Sequence, residues 1–296
     1  MEYCDLFDIN SGNNRNISPY KIKDNNLYIP YRYYEMYFVD YFEDNNIVFI
    51  FKNNHVIIDK SIDIDTLYKV QYSNFNFDVW YDDLKHLTFD SYIIDFNIDK
   101  VKTIESINKI INRHKFWFVK LSCMSPKDES RSGKQHKFNN AKDIVDRLFE
   151  SERTRKEIEC GNTKIIMRQW VDLPEEYEFR CFIYKDRLRC ISQYNCYQYV
   201  EEFQNVKVQT KIKERIINFY NSVKLPYEDC CMDIVIWDDC KMKSSSNIFI
   251  IEINEFGIDT RAGSSCFNWI QDYDILYNSK EPVIRFCNDE KYKYSF

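Results

Sequence analysis

The stretch FIIEINEFG, residues 249–257, decides how the rest of the chain is interpreted. Its isoleucine and phenylalanine residues predict a buried strand, because β-branched and aromatic side chains favour strands. Side chains alternate between the two faces of a strand, so Ile250, Glu252 and Asn254 are expected on one face and the odd-numbered residues on the other. Burying an ionised carboxylate without a partner costs several kcal/mol, so Glu252 requires a cation nearby.

The segment CMDIVIW predicts a second strand, joined to FIIEIN by a polar loop over residues 238–247. If the two strands form an antiparallel hairpin in which Trp237 pairs with Ile248, Asp233 lies directly opposite Glu252. Directly opposed carboxylates repel each other unless a cation lies between them. The hairpin therefore predicts either a cation site or two acids that face solvent.

Three oxygen donors, from Asp233, Glu252 and Asn254, would share one face of this hairpin. Mg²⁺ prefers a few carboxylate or carbonyl oxygens together with waters and substrate phosphates. The alternative interpretation is that both acids face solvent, as acidic residues commonly do. Polar residues inside other apolar strands favour the metal site over this alternative.

Cationic residues occur in two of those strands. Lys120 lies among apolar neighbours in FWFVKLSC, and Arg180 shares a face with Glu178 in EFRCFIY. A buried lysine is rare unless it meets an anion. Cations facing a two-carboxylate metal patch describe a nucleoside triphosphate site in which Mg²⁺ bridges the phosphates. The chain has no GxxxxGK[ST] motif, so the site is not a P-loop.

Composition excludes several other classes of protein. The chain has 296 residues, 44% of them hydrophobic, so it can bury a large core. A net charge of -6 argues against a general nucleic-acid binder, which would carry a basic stripe. No apolar run reaches the ~20 residues of a membrane span, and no secretion signal is visible. The 11 cysteines form no CxxC pair, so we expect free thiols and a cytoplasmic location.

Periodicity predicts a mixture of helices and strands along the rest of the chain. Residues 1–75 are expected to form a β-rich extension with short strands at Ile47–Lys52 and Val56–Ile58. The apolar face of the first helix after this extension is expected to contain Val101, Ile104, Ile107 and Ile111. Helices are predicted over residues 101–115, 140–159 and 211–223. Strands are predicted over residues 116–123, 164–171, 178–184 and 188–193, the last two as a hairpin.

From about Phe77 onward, the order and spacing of several stretches resemble the cell division cycle protein 123 family, an ATP-grasp family. The stretches are VWYDDLKHLTF, FVKLSCMSPKD, MRQWVDLPEEYEFRCFIYKDRLRCISQ, MDIVI, and IEINEFG followed by FNW. The resemblance implies an α+β, ATP-grasp-like fold in which two lobes with largely antiparallel sheets enclose a nucleotide cleft. The expected lobes are residues 76–163 and 164–296, the second with the metal site. Residues 1–75 are expected to have no counterpart in the family.

The resemblance also implies which residues bind ATP and Mg²⁺. Lys120 should contact the phosphates, and a hinge at residues 169–171 should meet the adenine through backbone groups, chiefly at Gln169 and Val171. Asp233, Glu252 and Asn254 fall on the family's metal positions. The complete set of expected cofactor-binding residues is Lys120, Ser122, Cys123, Lys127, Gln169, Trp170, Val171, Glu178, Arg180, Tyr194, Asp233, Glu252 and Asn254.

The sequence departs from the family pattern at several positions of this site. The family's ISQRD reads ISQYN here, so Tyr194 stands where an arginine is expected near the phosphates. One positive charge is therefore missing, and Arg168, Lys127 or Lys134 would have to replace it. The family's KLNW reads KLSC, and Glu252 stands where the family usually has an aspartate.

For function, the resemblance implies a monomeric, cytoplasmic assembly factor with chaperone-like activity. It would bind the gamma subunit of eukaryotic translation initiation factor 2 and promote the joining of that factor's subunits. The alternative is an ATP-dependent ligase that joins a carboxylate to an amine or a thiol. A ligase needs an anion pocket for its acyl substrate, which Arg261 and Lys127 could supply, but the sequence has no dedicated cluster and no catalytic residue is assigned. A third possibility is a scaffold that does not bind ATP, in keeping with Tyr194.

Overall fold

The structure is a computed structural model of the chain, and it divides into two compact units, residues 1–73 and 74–296. The division lies close to the predicted end of the N-terminal extension. The structure describes residues 21–23, 26–30, 49–52, 55–59, 75–126, 137–160, 163–238, 247–257, 260 and 262–288.

In the first unit, four strands form an antiparallel sheet in the order β1-β2-β4-β3. These strands are β1 (Lys21–Lys23), β2 (Asn26–Pro30), β3 (Phe49–Lys52) and β4 (His55–Asp59). The predicted strands at Ile47–Lys52 and Val56–Ile58 correspond to β3 and β4. The sequence did not predict β1 and β2, because both are short and lie next to Asp and Asn residues that favour turns.

The second unit combines helices with two sheets. Its helices are α1 (Phe77–Leu84), α2 (Lys100–Asn108), α3 (Ala141–Glu150), α4 (Glu152–Cys160), α5 (Val206–Ser222) and α6 (Tyr273–Asn278). Its strands are β5 (Ser91–Asp95), β6 (Trp117–Leu121), β7 (Lys137–Phe138), β8 (Lys164–Gln169), β9 (Glu178–Ile183), β10 (Leu188–Gln193), β11 (Cys230–Ile236), β12 (Ile248–Asn254) and β13 (Val283–Arg285).

These strands form an N-terminal sheet, in the order β5-β8-β6-β7, and a C-terminal sheet, in the order β12-β11-β9-β10-β13. Every pairing is antiparallel except that of β10 with β13. The predicted α+β class with largely antiparallel sheets is thus confirmed. The predicted C-terminal lobe, residues 164–296, includes β8. The structure instead pairs β8 with β5 and β6 of the N-terminal sheet. Periodicity identifies a strand but does not reveal which sheet the strand joins.

The helix predicted over residues 140–159 is divided into α3 and α4 at Ser151, whose backbone is extended with φ -67° and ψ 124°. The hydroxyl of Ser151 accepts a hydrogen bond from the N–H of Thr154 (3.4 Å), and the Thr154 hydroxyl donates to the carbonyl of Leu148 (2.5 Å). Serine and threonine hydroxyls compete in this way with the helical hydrogen bonds. The apolar pattern continues across this break, so it predicted a single helix.

The helix predicted over residues 101–115 ends at Asn108, and one of the four residues predicted on its apolar face, Val101, is misplaced. Ile107 is fully buried, but Val101 is 63% exposed. The two residues are six positions apart, which on a helix of 3.6 residues per turn places them on different faces. The N–H of Val101 bonds the Asp99 side chain (2.9 Å), as expected in a capped first turn.

The hairpin of β11 and β12 contains a β-bulge that changes its register. Near the loop, Ile236 pairs with Ile248, so the predicted pairing of Trp237 with Ile248 is wrong by one residue. The register shifts after Ile234, where β12 contributes Ile251 as an extra residue. Alternation alone does not reveal such an insertion.

Beyond the bulge, Asp233 lies opposite Glu252, as predicted. A regular ladder continued from the loop would instead place Ile251 opposite Asp233. The bulge also changes the faces, because Ile250 packs in the same buried core as Ile253 and not beside Glu252. The predicted pair of acids is therefore present, although the predicted alternation is wrong for Ile250.

The two largest of the four buried cores in the described part of the chain pack against the two sheets of the second unit. The larger core lies between the C-terminal sheet, α1 and α5, and α5 contributes Ile212, Ile216 and Phe219. The smaller core lies between the N-terminal sheet and α2, α3 and α4. Among the described residues, no helix is long and apolar enough to cross a membrane.

Candidate functional site

Three charged side chains form a row across the C-terminal sheet. Arg180 on β9 lies opposite Asp233 on β11, and Asp233 lies opposite Glu252 on β12. Residues directly opposite each other on neighbouring strands share a face of the sheet. These three residues, called the charged row below, therefore converge as the sequence predicted.

Arg180 and Asp233 form a buried bidentate ion pair. The Nε and Nη2 groups of Arg180 donate to the two carboxylate oxygens of Asp233 at 2.7 and 2.8 Å, and Nη1 donates to the carbonyl of Gly263 at 2.5 Å. Burial disfavours the charged guanidinium, but the Asp233 carboxylate outweighs this effect and raises the pKa of Arg180. The ring of Tyr194 lies 5.0 Å from the guanidinium carbon of Arg180. An arginine in place of Tyr194 would bring a second positive charge close to the guanidinium of Arg180.

The cation that meets Glu252 is Lys120, from β6 of the N-terminal sheet. Its ammonium group donates to Oε1 of Glu252, and the lysine is only 4% exposed. The anion beside this buried lysine is thus a carboxylate of the protein, and the contact of Lys120 with phosphates stays a prediction. The Glu252 side chain is 27% exposed, so it lies nearer the surface than its partner. This ion pair joins the two sheets of the second unit.

A second buried cation, Arg168 on β8, lies on the same face of the N-terminal sheet as Lys120. The register places Arg168 opposite Phe118 and Lys120 opposite Ile166, so both cations project from one face. The Nε and Nη2 atoms of Arg168 are buried and have no hydrogen-bond partner among the described residues. Burial lowers the pKa of Arg168 to about 10, although the nearby Glu252 carboxylate opposes this shift.

Arg168 was predicted only as one of three possible replacements for the arginine that is absent at Tyr194. The signal that identified Lys120, a cation inside an apolar strand, applies equally to Arg168 in KIIMRQWV. A cation inside an apolar strand therefore identifies Arg168 as a candidate site residue from the sequence alone.

The three predicted metal ligands lie together, but the protein's own groups already contact two of them. Asn254 donates through its amide to Oδ2 of Asp233 (3.1 Å), and Glu252 lies opposite Asp233. Their oxygens are of the type that Mg²⁺ prefers, so the donor set fits this ion in chemistry. Both carboxylates are paired with cations, however, so a metal ion would compete with Arg180 and Lys120. No cluster of three His, Cys, Asp or Glu side chains suited to a metal occurs in the described part of the chain.

At the predicted hinge, two backbone donors are already used within the fold. The N–H of Gln169 donates to the carbonyl of Asp90 (2.8 Å), and the N–H of Trp170 donates to that of Phe116 (3.0 Å). The N–H of Gln169 is therefore not available to a base. No other described residue uses the N–H of Val171, which leaves it as the candidate donor.

The hinge borders a cavity of about 370 Å³, which is lined by Gln169 and Trp170. The Trp170 indole N–H donates to Asp172 (2.8 Å), and the Lys137 ammonium lies 5.2 Å from the Trp170 ring centre. Val171 does not line this cavity and packs instead beside Phe89, Val235 and Phe249. A larger cavity of about 560 Å³ is lined by Cys196, Cys266 and Cys287, among others, and by none of the predicted site residues.

The remaining predicted residues have less direct links to the charged row. Ser122 is buried, and its hydroxyl accepts a bond from the N–H of Lys164 (3.4 Å). Cys123 packs against the smaller core, and the carbonyl of Glu178 accepts a bond from the N–H of Tyr194 (2.9 Å). Three predicted cations lie outside the described residues: Lys127, Lys134 and Arg261.

Comparisons with known proteins identify the family to which the chain belongs. The D123 family model matches residues 35–295. The match begins well before Phe77, so the expectation that residues 1–75 lack a counterpart is wrong for residues 35–75. A CDC123-like protein of Acanthamoeba polyphaga mimivirus is 29% identical over 90% of this chain and 96% of its own length.

Two further proteins are similar to the chain, one in sequence and one in structure. A translation initiation factor eIF2 assembly protein from Candida albicans is 28% identical over 53% of this chain, and the alignment spans 49% of that protein. The structure of Cdc123 from Schizosaccharomyces pombe aligns with a TM-score of 0.61 over 73% of this chain and 96% of that chain, at 18% identity. At this identity the likeness shows the fold, and it confirms the fold implied by the resemblance.

Proposed function

Because the chain belongs to the D123 family, we propose that it is an ATP- and Mg²⁺-binding assembly factor for eukaryotic translation initiation factor 2. In this proposal the chain holds the gamma subunit of that factor while other subunits join it. The names of the relatives support the assembly role. The ATP site and the gamma subunit are inferences from the family resemblance and from the geometry of the charged row.

The nucleotide would lie between the two sheets of the second unit. Lys120 would hold phosphate oxygens, and Asp233, Glu252 and Asn254 would hold Mg²⁺. When bound, Mg²⁺ would neutralise the phosphate charge that these carboxylates would otherwise repel. Lys120 must leave Glu252 to reach the phosphates, and this exchange would free the Glu252 carboxylate.

The observation that carries the proposal is the Lys120–Glu252 ion pair between the sheets. A ligand that replaces this pair would change what holds the two sheets together. ATP would therefore favour one arrangement of the two sheets. If the partner binds the same arrangement, ATP raises the affinity for the partner, and the partner raises the affinity for ATP by the same factor. This coupling does not require ATP turnover.

The test is capture of the isolated gamma subunit by the purified full chain, at low salt, with and without ATP and Mg²⁺. We expect capture, stronger with nucleotide, and weaker as salt rises because charged surfaces steer the encounter. Glu252→Gln is the matched variant, since it removes one predicted metal ligand and keeps the shape of the side chain. Glu252→Gln should capture the same amount of gamma subunit with and without ATP and Mg²⁺.

Two outcomes would contradict the proposal. Absence of capture at low salt would reject the assembly role. Steady ADP production coupled to a new amide or thioester would assign the chain to the ligases.

A further inference from the structure

Arg168 is a buried arginine whose guanidinium donors are not all used by the part of the chain that the structure describes. Arg168 is 6% exposed, and its Nε and Nη2 atoms contact no hydrogen-bond acceptor among the described residues. The guanidinium carbon lies 4.9 Å from the centre of the Phe77 ring. An aromatic face does not replace the acceptors that a buried arginine needs.

Arg168 is one of two buried cations on this face of the N-terminal sheet among the described residues. Lys120 is the second cation on the face, and the nearby carboxylate, Glu252, already accepts from Lys120. A buried cation without an anion is strongly destabilising, so such an arrangement suits a site that an anion completes. The planar fork of N–H donors on arginine matches phosphate oxygens in particular.

We propose that Arg168 binds the phosphate groups of the nucleotide. This inference rests on the proposed nucleotide site. Tyr194 lies over Arg180, whose donors are engaged by Asp233 and Gly263. Arg168 therefore offers a phosphate the guanidinium donors that Arg180 has already committed to the fold.

The test is a calorimetric titration of wild type and Arg168→Gln with three probes: ATP, inorganic triphosphate and adenosine. A charged hydrogen bond to phosphate predicts that Arg168→Gln weakens ATP and triphosphate by about 10- to 100-fold. Adenosine lacks phosphate, so its affinity should be the same in both proteins. Arg168→Lys, which keeps the charge but loses the fork, should give an intermediate affinity for ATP.

Arg189→Gln is the matched control, because Arg189 is also buried but donates hydrogen bonds within the fold. It donates to the carbonyls of Tyr184 (3.2 Å) and Ser279 (2.7 Å). Its loss should lower the Tm and leave all three affinities unchanged. Arg168→Gln should instead keep the Tm of wild type or raise it, because it removes an unpaired buried charge.

The possible failures are distinguishable. If wild type binds none of the three probes, the proposed nucleotide site is rejected, and the role of Arg168 with it. If wild type binds ATP and Arg168→Gln binds it equally well, only the role of Arg168 is rejected. If Arg168→Gln weakens adenosine as much as ATP and lowers the Tm, Arg168 is a structural residue and the inference is wrong.

Discussion

Asp233 and Glu252 are neighbouring carboxylates with different surroundings. The Asp233 side chain is 3% exposed and is held by a buried arginine of its own sheet, whereas Glu252 is partly exposed and is held by a lysine of the other sheet. The sequence correctly indicated that Glu252 needs a cation. It could not show that the cation is Lys120, because that contact joins strands from two different sheets.

Removing the Asp233 carboxylate should destabilise the protein even without a ligand. Asp233→Asn leaves Arg180 as a buried charge with no anion, so we expect the free energy of unfolding to fall by about 3–5 kcal/mol in urea denaturation. Asp82→Asn is the control, because Asp82 and its partner Lys85 are both largely exposed, and it should cost under about 1 kcal/mol. Equal effects of the two substitutions would show that the Arg180–Asp233 pair contributes no special stability.

At the scale of single elements, patterning predicted most strands and missed the irregular positions. The strands of the hairpin β9–β10 and of β11–β12 agree with the apolar runs, because each run is buried on at least one face. The bulge at Ile251 depends on how both strands pair, and the helix break at Ser151 depends on two local side-chain hydrogen bonds. Apolar periodicity contains neither kind of information, although the bulge decides which residue lies opposite Asp233.

The end of β8 permits a test of base recognition through the backbone. Val171→Pro removes an N–H that no described residue uses, so the fold should persist while ATP binding weakens by about 5- to 10-fold. Inorganic triphosphate should bind as tightly as in wild type, because it has no base. Val171→Ala keeps the N–H and should bind ATP normally; calorimetry on the three proteins measures all of these affinities. Unchanged ATP affinity in a folded Val171→Pro protein would exclude this hinge contact.

At the scale of the whole second unit, an ion pair joins the two sheets at the proposed nucleotide site. The family resemblance predicted the residues of this site, and the structure brings Lys120, Arg180, Asp233 and Glu252 together. It also shows that the two acids already have cationic partners, which the sequence could not reveal. ATP and Mg²⁺ would therefore have to replace existing ion pairs to bind.

The most direct test of this account is a calorimetric titration of ATP, with Mg²⁺ or with a chelator, into wild type and Glu252→Gln. For wild type we expect ATP to bind and to weaken at least tenfold when Mg²⁺ is removed. Glu252→Gln should lose this dependence on Mg²⁺ and bind metal-free ATP at least as tightly as wild type, because Lys120 is released from its ion pair. Equal responses to Mg²⁺ in the two proteins, or no ATP binding by wild type, would contradict the account.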